Sequence, residues 1–510
     1  MLGPNQYFTL QQASQWATQY MGKNVTSSNI SYLVQYGKVK RYENDGVTQI
    51  DKDELKAYYD ALGGSRQKQW KEILGEDLNW DLSFEQYKEA ETTKHVHRLH
   101  PYKGKFIPQL VEYFLDTHTD HFKKEVFFKA GDIVLDPFSG SGTTMVQASE
   151  YDLIDVYQQC QRITDVLRAF LAEKQILAFD AELTEALNNF NKEYFPVPDY
   201  KYRLQRKEID GKVYGAEKEQ QFLPIYQALV EKYHIQLKQA KADTFLDKWY
   251  IQHVREEIDF VFEKIKAIQN PATKCIITLI LSRTIRSCRA TTHADLATLI
   301  EPITTTYYCA KHGKVCKPLF SILKWWETYV KDTIKRLQQF KELRTDTYQK
   351  CLQGDSRTID IFEALEHKNP EFAALARKQQ IKGIFSSPPY VGLIDYHEQH
   401  AYAYDLFGFE RNDDKEIGPL YKGQGQEAKR MYVAGIAEVL INSKRFLADD
   451  YDVFLVANDK YGLYPEIAER AGMRIVNQYK RPVLNRTEKD KNAYAEIIFH
   501  LKEKDKNIEI

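Results

Sequence analysis

One short segment combines hydroxyl groups, prolines and an aromatic ring directly after an apolar run. The apolar run 381–385 predicts a buried strand, and it is followed by Ser387, Pro388, Pro389 and Tyr390. Two prolines fix two φ angles, so the carbonyl groups of the loop point in fixed directions. Carbonyl and hydroxyl oxygens accept hydrogen bonds from an amino group, and a tyrosine ring can cover a flat ligand. The loop can therefore hold a flat ring that carries an amino group, although Pro-Pro alone is more often a plain turn.

A second segment places an acid and a glycine loop between a strand and a helix. The run 132–135 leads into Asp136, and the residues of interest that follow are Pro137, Phe138, Gly140, Gly142 and Thr143. Glycines let a backbone approach a ligand closely, and a helix N-terminus favours a negative group. The segment lacks the third glycine and the basic residue of phosphate-binding loops. It therefore favours a nucleoside with a carboxylate over a polyphosphate.

Together the two segments resemble the amino-methyltransferases of DNA. In that family D-P-F-x-G-x-G binds S-adenosylmethionine and S/D/N-P-P-Y binds the target base. A third match, the segment 100–106, resembles the segment that leads into the cofactor loop. The serine form of the tetrapeptide is typical of members that methylate the N4 amino group of cytosine, and the aspartate or asparagine form is typical of N6-adenine enzymes. The resemblance covers roughly residues 94–150 and 350–501, and a stretch near 283–320.

The resemblance implies a role for each motif residue. Ser387 and the Pro388 carbonyl would accept the amine hydrogens, Tyr390 would stack on the base, and Pro389 completes this loop. The implied cofactor-binding residues are Asp136, Pro137, Phe138, Gly140, Gly142, Thr143, Lys105, Phe106, Asp355 and Asp155. No metal ligand belongs to this active-site set. Asp155 marks a departure from the family, because the expected strand with its ribose-binding acid, 153–156, arrives too soon after the glycine loop.

The composition is that of an ordinary globular protein. The 510 residues are 43% hydrophobic and 28% charged, with a net charge of −1, so any basic DNA-binding surface must be local. The longest apolar run, 275–281, is far too short to span a bilayer, and no targeting signal opens the chain. Six cysteines in a chain of this length do not indicate a disulfide framework. These features predict a cytoplasmic protein without membrane contact.

The N-terminal region predicts a small module of its own. Capped helices are expected from Thr9 to about residue 20 and over 29–36, then a hairpin around 44–46, and a third helix over 51–62. This order is similar to the winged helix-turn-helix modules of excisionase-type DNA binders. In that interpretation Lys38, Lys40 and Arg41 would lie near phosphates. An ordinary protein-interaction module is the alternative.

A largely helical stretch separates the two motif regions, and two of its features point to chemistry. Three arginines, Arg283, Arg286 and Arg289, share a predicted helix face and would grip phosphates, form a solvated face or make structural ion pairs. The spacing Cys309-x-x-His312-x-x-x-Cys316 has zinc-ligand types, and Cys288 or His293 would supply a fourth ligand. Buried cysteines without metal are the more common interpretation of such a pattern.

We therefore predict an α/β protein with a Rossmann-like class I methyltransferase sheet, a large helical insertion and an N-terminal winged helix-turn-helix-like module. The predicted parts are 1–64 (DNA-binding module), 65–152 (cofactor loop), 153–345 (helical insertion, target recognition) and 346–510 (base-binding loop). The predicted activity is N4-cytosine methylation of double-stranded DNA with S-adenosylmethionine, in a restriction–modification system with a cognate endonuclease. An N6-adenine enzyme, an RNA base methyltransferase and a DNA-binding protein that has lost catalysis are the alternatives.

Overall fold

The computed structural model describes residues 6–21, 25–35, 37–44, 46–62, 64–87, 89–93, 95–99, 107–120, 122–139, 153–239, 243–293, 299–343, 345–484 and 493–504. The chain divides into two compact units. The first comprises Met1–Glu76, Ala172–Lys238 and Ala290–Phe320, and the second comprises Asp77–Leu171, Gln239–Arg289 and Ser321–Ile510.

The second unit contains a mixed β-sheet that has five strands among the described residues. These strands are β4 (Val134–Leu135), β7 (Ile381–Ser386), β8 (Leu447–Ala457), β9 (Met473–Pro482) and β10 (Ala495–Glu503), in the spatial order β4-β7-β8-β10-β9. The first three run parallel, and β10 is antiparallel to both β8 and β9. The α/β class agrees with the sequence prediction, and the closing antiparallel hairpin agrees with the paired strands that the sequence predicts over 474–479 and 493–501.

Both faces of the sheet are buried, as expected for its parallel strands. Alternate residues of the central strands point to opposite sides. Ile384, Val453 and Leu455 belong to one apolar cluster, whereas Phe385 and Phe454 belong to another. The strands approach each other closely at Gly383, where a Cβ atom would lie 2.0 Å from the Asp452 carbonyl oxygen. This position of β7 therefore requires glycine.

Helices cover the two faces of this sheet. The first cluster includes residues of α19 (Gln426–Lys444) and α20 (Tyr464–Arg470), and the second includes residues of α6 (Pro108–Leu115). Two helices precede β7 in the chain and pack next to the sheet, α15 (Ile361–Lys368) and α16 (Pro370–Gln379). Asn369 begins α16 as its N-cap, since its side chain accepts a hydrogen bond from the Phe372 amide at 3.0 Å. Two short helices follow the base-binding loop, α17 (Tyr396–Gln399) and α18 (Ala401–Phe407).

The N-terminal part contains the predicted series of elements in the predicted order. Helices α1 (Leu10–Met21), α2 (Ser27–Gln35) and α3 (Lys52–Leu62) surround a three-stranded sheet of β1 (Tyr7–Thr9), β2 (Tyr42–Asn44) and β3 (Val47–Asp51). Helix α4 (Gly64–Leu74) follows, and α5 (Glu89–Thr92) lies further along the chain. Gly46, in the turn between β2 and β3, has a φ of +74°, a conformation that glycine adopts without strain. Strand β1 and its pairing with β3 were not predicted.

The middle of the chain is helical, as predicted. Its helices are α7 (Leu153–Glu173), α8 (Ile176–Tyr194), α9 (Asp199–Gln205), α10 (Gly211–Lys232), α11 (Phe245–Trp249), α12 (Gln252–Lys266), α13 (Pro271–Ser287) and α14 (Leu323–Leu343). A small hairpin of β5 (Tyr307–Cys309) and β6 (Lys314–Cys316) interrupts them. None of the helices in the described parts of the chain combines the length and apolarity needed to cross a membrane.

The sequence also indicates short strands at 153–156 and 351–356, and both of these predictions are wrong. The segment 153–156 begins helix α7. Its apolar residues continue at helical spacing as a buried stripe, Val156, Cys160, Ile163, Leu167 and Leu171. The second, 351–356, has no strand and forms a turn, in which the Asp355 carbonyl oxygen accepts hydrogen bonds from the Thr358 and Ile359 amides. Short apolar runs do not distinguish the two kinds of element by themselves.

Candidate active site

The two sequence motifs meet at one edge of the central sheet. Because β4 and β7 are parallel neighbours, with Leu135 opposite Ile384, both strands end at the same edge. Asp136 follows β4, and Ser386 is the last residue of β7. The Ser386 hydroxyl donates a hydrogen bond to Asp136 Oδ1 at 2.5 Å. Ligands of open α/β sheets bind outside the carboxyl ends of the strands, so this edge is the expected position of a site.

Asp136 is the acidic group of this site. Its Oδ1 also accepts a hydrogen bond from the Phe138 amide at 3.1 Å. The residue as a whole is exposed, but the protein around it desolvates its carboxyl group. This desolvation raises the pKa of Asp136 above its ordinary value, although the bonds from Ser386 and Phe138 act in the opposite direction. An exposed carboxylate in such surroundings is suited to a cationic group that approaches from its open side.

Tyr390 is held at both its ring and its hydroxyl. The ring packs against the same apolar cluster as Phe138. The hydroxyl donates a hydrogen bond to Glu496 Oε1 at 2.8 Å, and Arg481 Nε binds the other carboxylate oxygen at 3.1 Å. Arg481 is buried and also donates to the Leu82 carbonyl oxygen. Burial and the nearby Glu496 carboxylate raise the pKa of Tyr390, so the phenol is neutral.

The predicted acid Asp355 lies on a loop that contacts the cofactor segment. The Ser356 hydroxyl donates to the Pro137 carbonyl oxygen at 2.7 Å, which joins the loop to the residue after Asp136. The Asp355 carboxylate accepts two hydrogen bonds from Arg357, at 2.9 and 2.7 Å. These bonds are the main cause of its lowered pKa. The structure thus brings Asp355 to the site in ionised form, already paired with an arginine.

Several predicted residues lie outside the described part of the chain or away from this edge. Lys105, Phe106, Gly140, Gly142 and Thr143 lie outside the described residues. Of the base-binding loop, Ser387 and Pro389 are half-buried and Pro388 is buried.

Asp155 lies in helix α7 rather than at the end of a strand. Its Oδ2 accepts a hydrogen bond from the Thr273 hydroxyl at 2.6 Å. The predicted ribose contact of Asp155 depended on a strand that ends at this residue, and the structure has a helix there instead.

Sequence inspection missed four residues that position the site: Ser386, Ser356, Arg481 and Glu496. Ser386 precedes the tetrapeptide directly, and its polarity at the end of an apolar strand was a usable signal. The pair of Arg481 with Glu496 joins two residues that face each other on β9 and β10. The first strand of the predicted hairpin, 474–479, ended before Arg481, and only the register of the two strands reveals the ion pair.

Of the three arginines predicted to share a helix face, Arg283 lies within α13 and has a structural role. This side chain is 4% exposed, binds Asp332 at 2.6 Å and the Thr333 hydroxyl at 2.6 Å, and lies 4.3 Å from the Tyr329 ring centre. Arg289 is also buried, and its Nε donates to the Arg286 carbonyl oxygen. The alternative of structural ion pairs therefore applies to Arg283, which does not reach a phosphate surface.

The basic residues of the N-terminal hairpin region are exposed. Lys38, Lys40 and Arg41 all lie on the surface of the module. Lys40 forms an ion pair with Glu54 at 3.5 Å, and Arg41 forms one with Glu43 at 3.4 Å. Both pairs are exposed and weak, so they can exchange for phosphate contacts.

Comparisons with known proteins are consistent with this arrangement. The model of a family described as DNA methylase, of the N6 and N4 type, matches residues 6–162. The chain is 44% identical over 523 aligned residues to the type II methyltransferase M.MjaII of Methanocaldococcus jannaschii, and the alignment covers 97% of each protein. No solved structure matches the chain significantly.

Proposed function

The chain belongs to the family of DNA methylases of the N6 and N4 type, and we propose that it methylates the N4 amino group of cytosine in double-stranded DNA with S-adenosylmethionine as the donor. The observation that carries the proposal is the hydrogen bond between Ser386 and Asp136. It joins the segment that resembles a cofactor loop to the segment that resembles a base-binding loop. A methyl donor and an acceptor amine bound at these two segments would be neighbours.

The residues at the end of β4 fit the proposed cofactor. S-adenosylmethionine supplies an activated methyl group on a positively charged sulfur and carries an ammonium group at its methionine end. Asp136 offers an exposed carboxylate to such positive charge. Phe138 adds a partly buried apolar surface beside it. The neighbouring loop places Asp355 within the same group of residues through the contact of Ser356 with Pro137, and we assign Asp355 to the adenosine end.

The base-binding loop would prepare the acceptor amine. The amine lone pair is delocalised into the base ring, so it is a weak nucleophile until its geometry changes. The Ser387 hydroxyl and the Pro388 carbonyl oxygen would each accept one amine hydrogen, which favours a pyramidal nitrogen. The alkylated amine loses a proton easily, so the loop needs no strong base. Most of the rate enhancement then comes from orienting the amine towards the methyl group.

Tyr390 would stack on the target base. A base inside a duplex cannot reach this loop, so the enzyme must flip it out of the helix. A flipped base loses its stacking neighbours, and an aromatic side chain replaces them at about 1–3 kcal/mol per base. The bonds from Tyr390 to Glu496 and from Glu496 to Arg481 fix the ring before the base arrives. A ring positioned in advance loses little conformational freedom on binding.

Serine at position 387 supports cytosine over adenine as the target. The family includes both N6 and N4 enzymes, and the serine form of the tetrapeptide is typical of the N4 members. The relative M.MjaII is named as a type II methyltransferase, which supports a role in a type II restriction–modification system with a cognate endonuclease.

We also assign DNA contact to the N-terminal module, through Lys38, Lys40 and Arg41, and target recognition to the helical insertion.

An assay with purified chain and methyl-labelled S-adenosylmethionine tests the DNA-methylation proposal. Label should enter duplex DNA and should not enter folded RNA. The Ser387→Ala variant, measured beside it, should transfer label more slowly. Transfer to RNA alone would reject DNA as the substrate, and no transfer to either would reject the enzymatic proposal in favour of a DNA-binding protein.

A further inference from the structure

Four metal-binding side chains converge in the first unit, whereas the residues assigned to methyl transfer belong to the second unit. They are His293, Cys309, His312 and Cys316, and one ligand atom from each lies within 4.8 Å of the others. The two cysteines are buried, His293 is half-buried and His312 is exposed. Two thiols and two imidazoles form one of the ligand sets that bind structural zinc.

The distances fit a metal of zinc's size. Tetrahedral zinc has bonds of about 2.3 Å to sulfur and about 2.0–2.1 Å to nitrogen, which separates a bound sulfur from a bound nitrogen by about 3.5 Å. Cys316 Sγ and His312 Nδ1 lie 3.5 Å apart. The widest separation, 4.8 Å, exceeds a tetrahedral edge by about 1 Å. Small side-chain rotations would close that difference.

His293 has the partner that a metal-binding histidine needs. Its Nδ1 lies 2.7 Å from the Tyr307 hydroxyl. Histidine ligands usually donate their second ring N–H to such a group, which fixes the tautomer and orients the ring. This contact leaves His293 Nε2 as the atom directed to a metal. The rings of His293 and His312 lie with their centres 4.4 Å apart.

The hairpin that carries three of the ligands is fixed by neighbouring helices. Asn191 of α8 binds both the amide and the carbonyl oxygen of Val315, at 3.0 and 2.9 Å. Glu219 of α10 accepts a hydrogen bond from the Tyr308 amide at 2.8 Å. The turn is tight, because the Cys309 carbonyl oxygen accepts bonds from the His312 and Gly313 amides. The ligands therefore lie on a rigid frame.

We propose that His293, Cys309, His312 and Cys316 bind one structural Zn²⁺ ion per chain. Four protein ligands complete the coordination, so the ion stabilises the fold and takes no part in methyl transfer. It ties the β5–β6 hairpin to the segment after α13 that carries His293. Cys288, the other fourth ligand considered from the sequence, is the C-cap residue of α13 in the second unit and does not belong to the cluster.

The test uses the full chain and measures bound metal. Protein purified from zinc-supplemented cells should contain about one zinc per chain by elemental mass spectrometry. Substituting Co²⁺ should give the visible absorption of tetrahedral cobalt with a thiolate charge-transfer band. Less than about 0.2 zinc per chain, or cobalt spectra without thiolate character, would overturn the proposal. A disulfide between Cys309 and Cys316 in freshly isolated protein would also overturn it.

Variants of the exposed ligand separate metal binding from folding. Loss of a group that hydrogen-bonds to a metal ligand lowers metal affinity roughly 10–100-fold. His312→Ala removes a ligand itself, so it should weaken zinc binding by more than that factor. His312→Cys, which restores a ligand, should keep about one zinc per chain. Cys275→Ser is the matched control, since Cys275 is exposed and lies on α13 outside the cluster. Equal zinc content in His312→Ala and in the control would overturn the proposal, whatever the methyltransferase activity of either protein.

Discussion

Asp136→Asn tests the cofactor-binding role of the acid at the end of β4. Asparagine keeps an Oδ1 acceptor for both the Ser386 hydroxyl and the Phe138 amide, so the substitution removes mainly the charge. A hydrogen bond to a charged group contributes about 1.5–3 kcal/mol. Each 1.4 kcal/mol is a factor of ten in affinity. The dissociation constant for S-adenosylmethionine should therefore rise about 10- to 150-fold, as measured by isothermal titration calorimetry.

Asp132→Asn is the matched control for that measurement. Asp132 precedes the same strand at its other end, where its carboxylate caps the Lys129 amide at 2.7 Å. We expect its dissociation constant to stay within about twofold of the parent, because it lies far from the carboxyl end of the strand. A dissociation constant for Asp136→Asn that matches the control would refute the proposed cofactor contact.

The pH dependence of cofactor binding gives a second readout for Asp136. Desolvation raises its pKa, so the carboxylate takes up a proton at a higher pH than an ordinary aspartate does. The sign follows from linkage: the ionised form binds the cation, and affinity falls as pH decreases through the raised pKa. Asp136→Asn should remove this dependence. If cofactor affinity falls equally at low pH in the parent protein and in Asp136→Asn, the pH dependence belongs to another titratable group.

Four further substitutions test the remaining roles. Ser387→Ala should lower kcat about 2- to 10-fold through loss of one neutral hydrogen bond and should leave cofactor affinity unchanged. An equal loss of kcat and of cofactor affinity would contradict the proposed role of Ser387. Tyr390→Ala should weaken binding of DNA with an unpaired target base by about 1–3 kcal/mol, whereas unchanged affinity would argue against stacking. Arg283→Ala should lower the free energy of unfolding by about 3 kcal/mol, because it removes the buried partner of Asp332. An unchanged melting curve would contradict the structural ion pair. Lys38→Ala should reduce the slope of log affinity for DNA against log salt by about 1, and an unaltered slope would exclude Lys38 from phosphate contact.

The sequence predicted the central sheet well where strands were long or clearly bounded. The run 453–456 is apolar at every position, which predicts a strand buried on both faces, and β8 is such a strand. The hairpin of β9 and β10 was also recognisable. The parallel arrangement of β4 and β7 then explains why the motifs around Asp136 and Ser387 meet, although about 250 residues separate them in sequence.

The failures have a physical cause in common. Residues 153–156 and 351–356 are both short, and a segment of that length fits a strand, one turn of a helix or an irregular turn. The longer stripe from Val156 to Leu171 would have shown the helix. Contacts that depend on three-dimensional register, such as that of Arg481 with Glu496, leave no pattern in the sequence.

The central claim, N4-methylation of cytosine in DNA, is tested most directly by nucleoside mass spectrometry. DNA from cells that express the chain is digested to nucleosides and compared with DNA from cells that express the Ser387→Ala variant. We expect N4-methylcytosine in the first sample and less of it in the second. N6-methyladenine in place of N4-methylcytosine would contradict the assignment of the target that rests on Ser387, and DNA without either modified base would contradict the proposed activity.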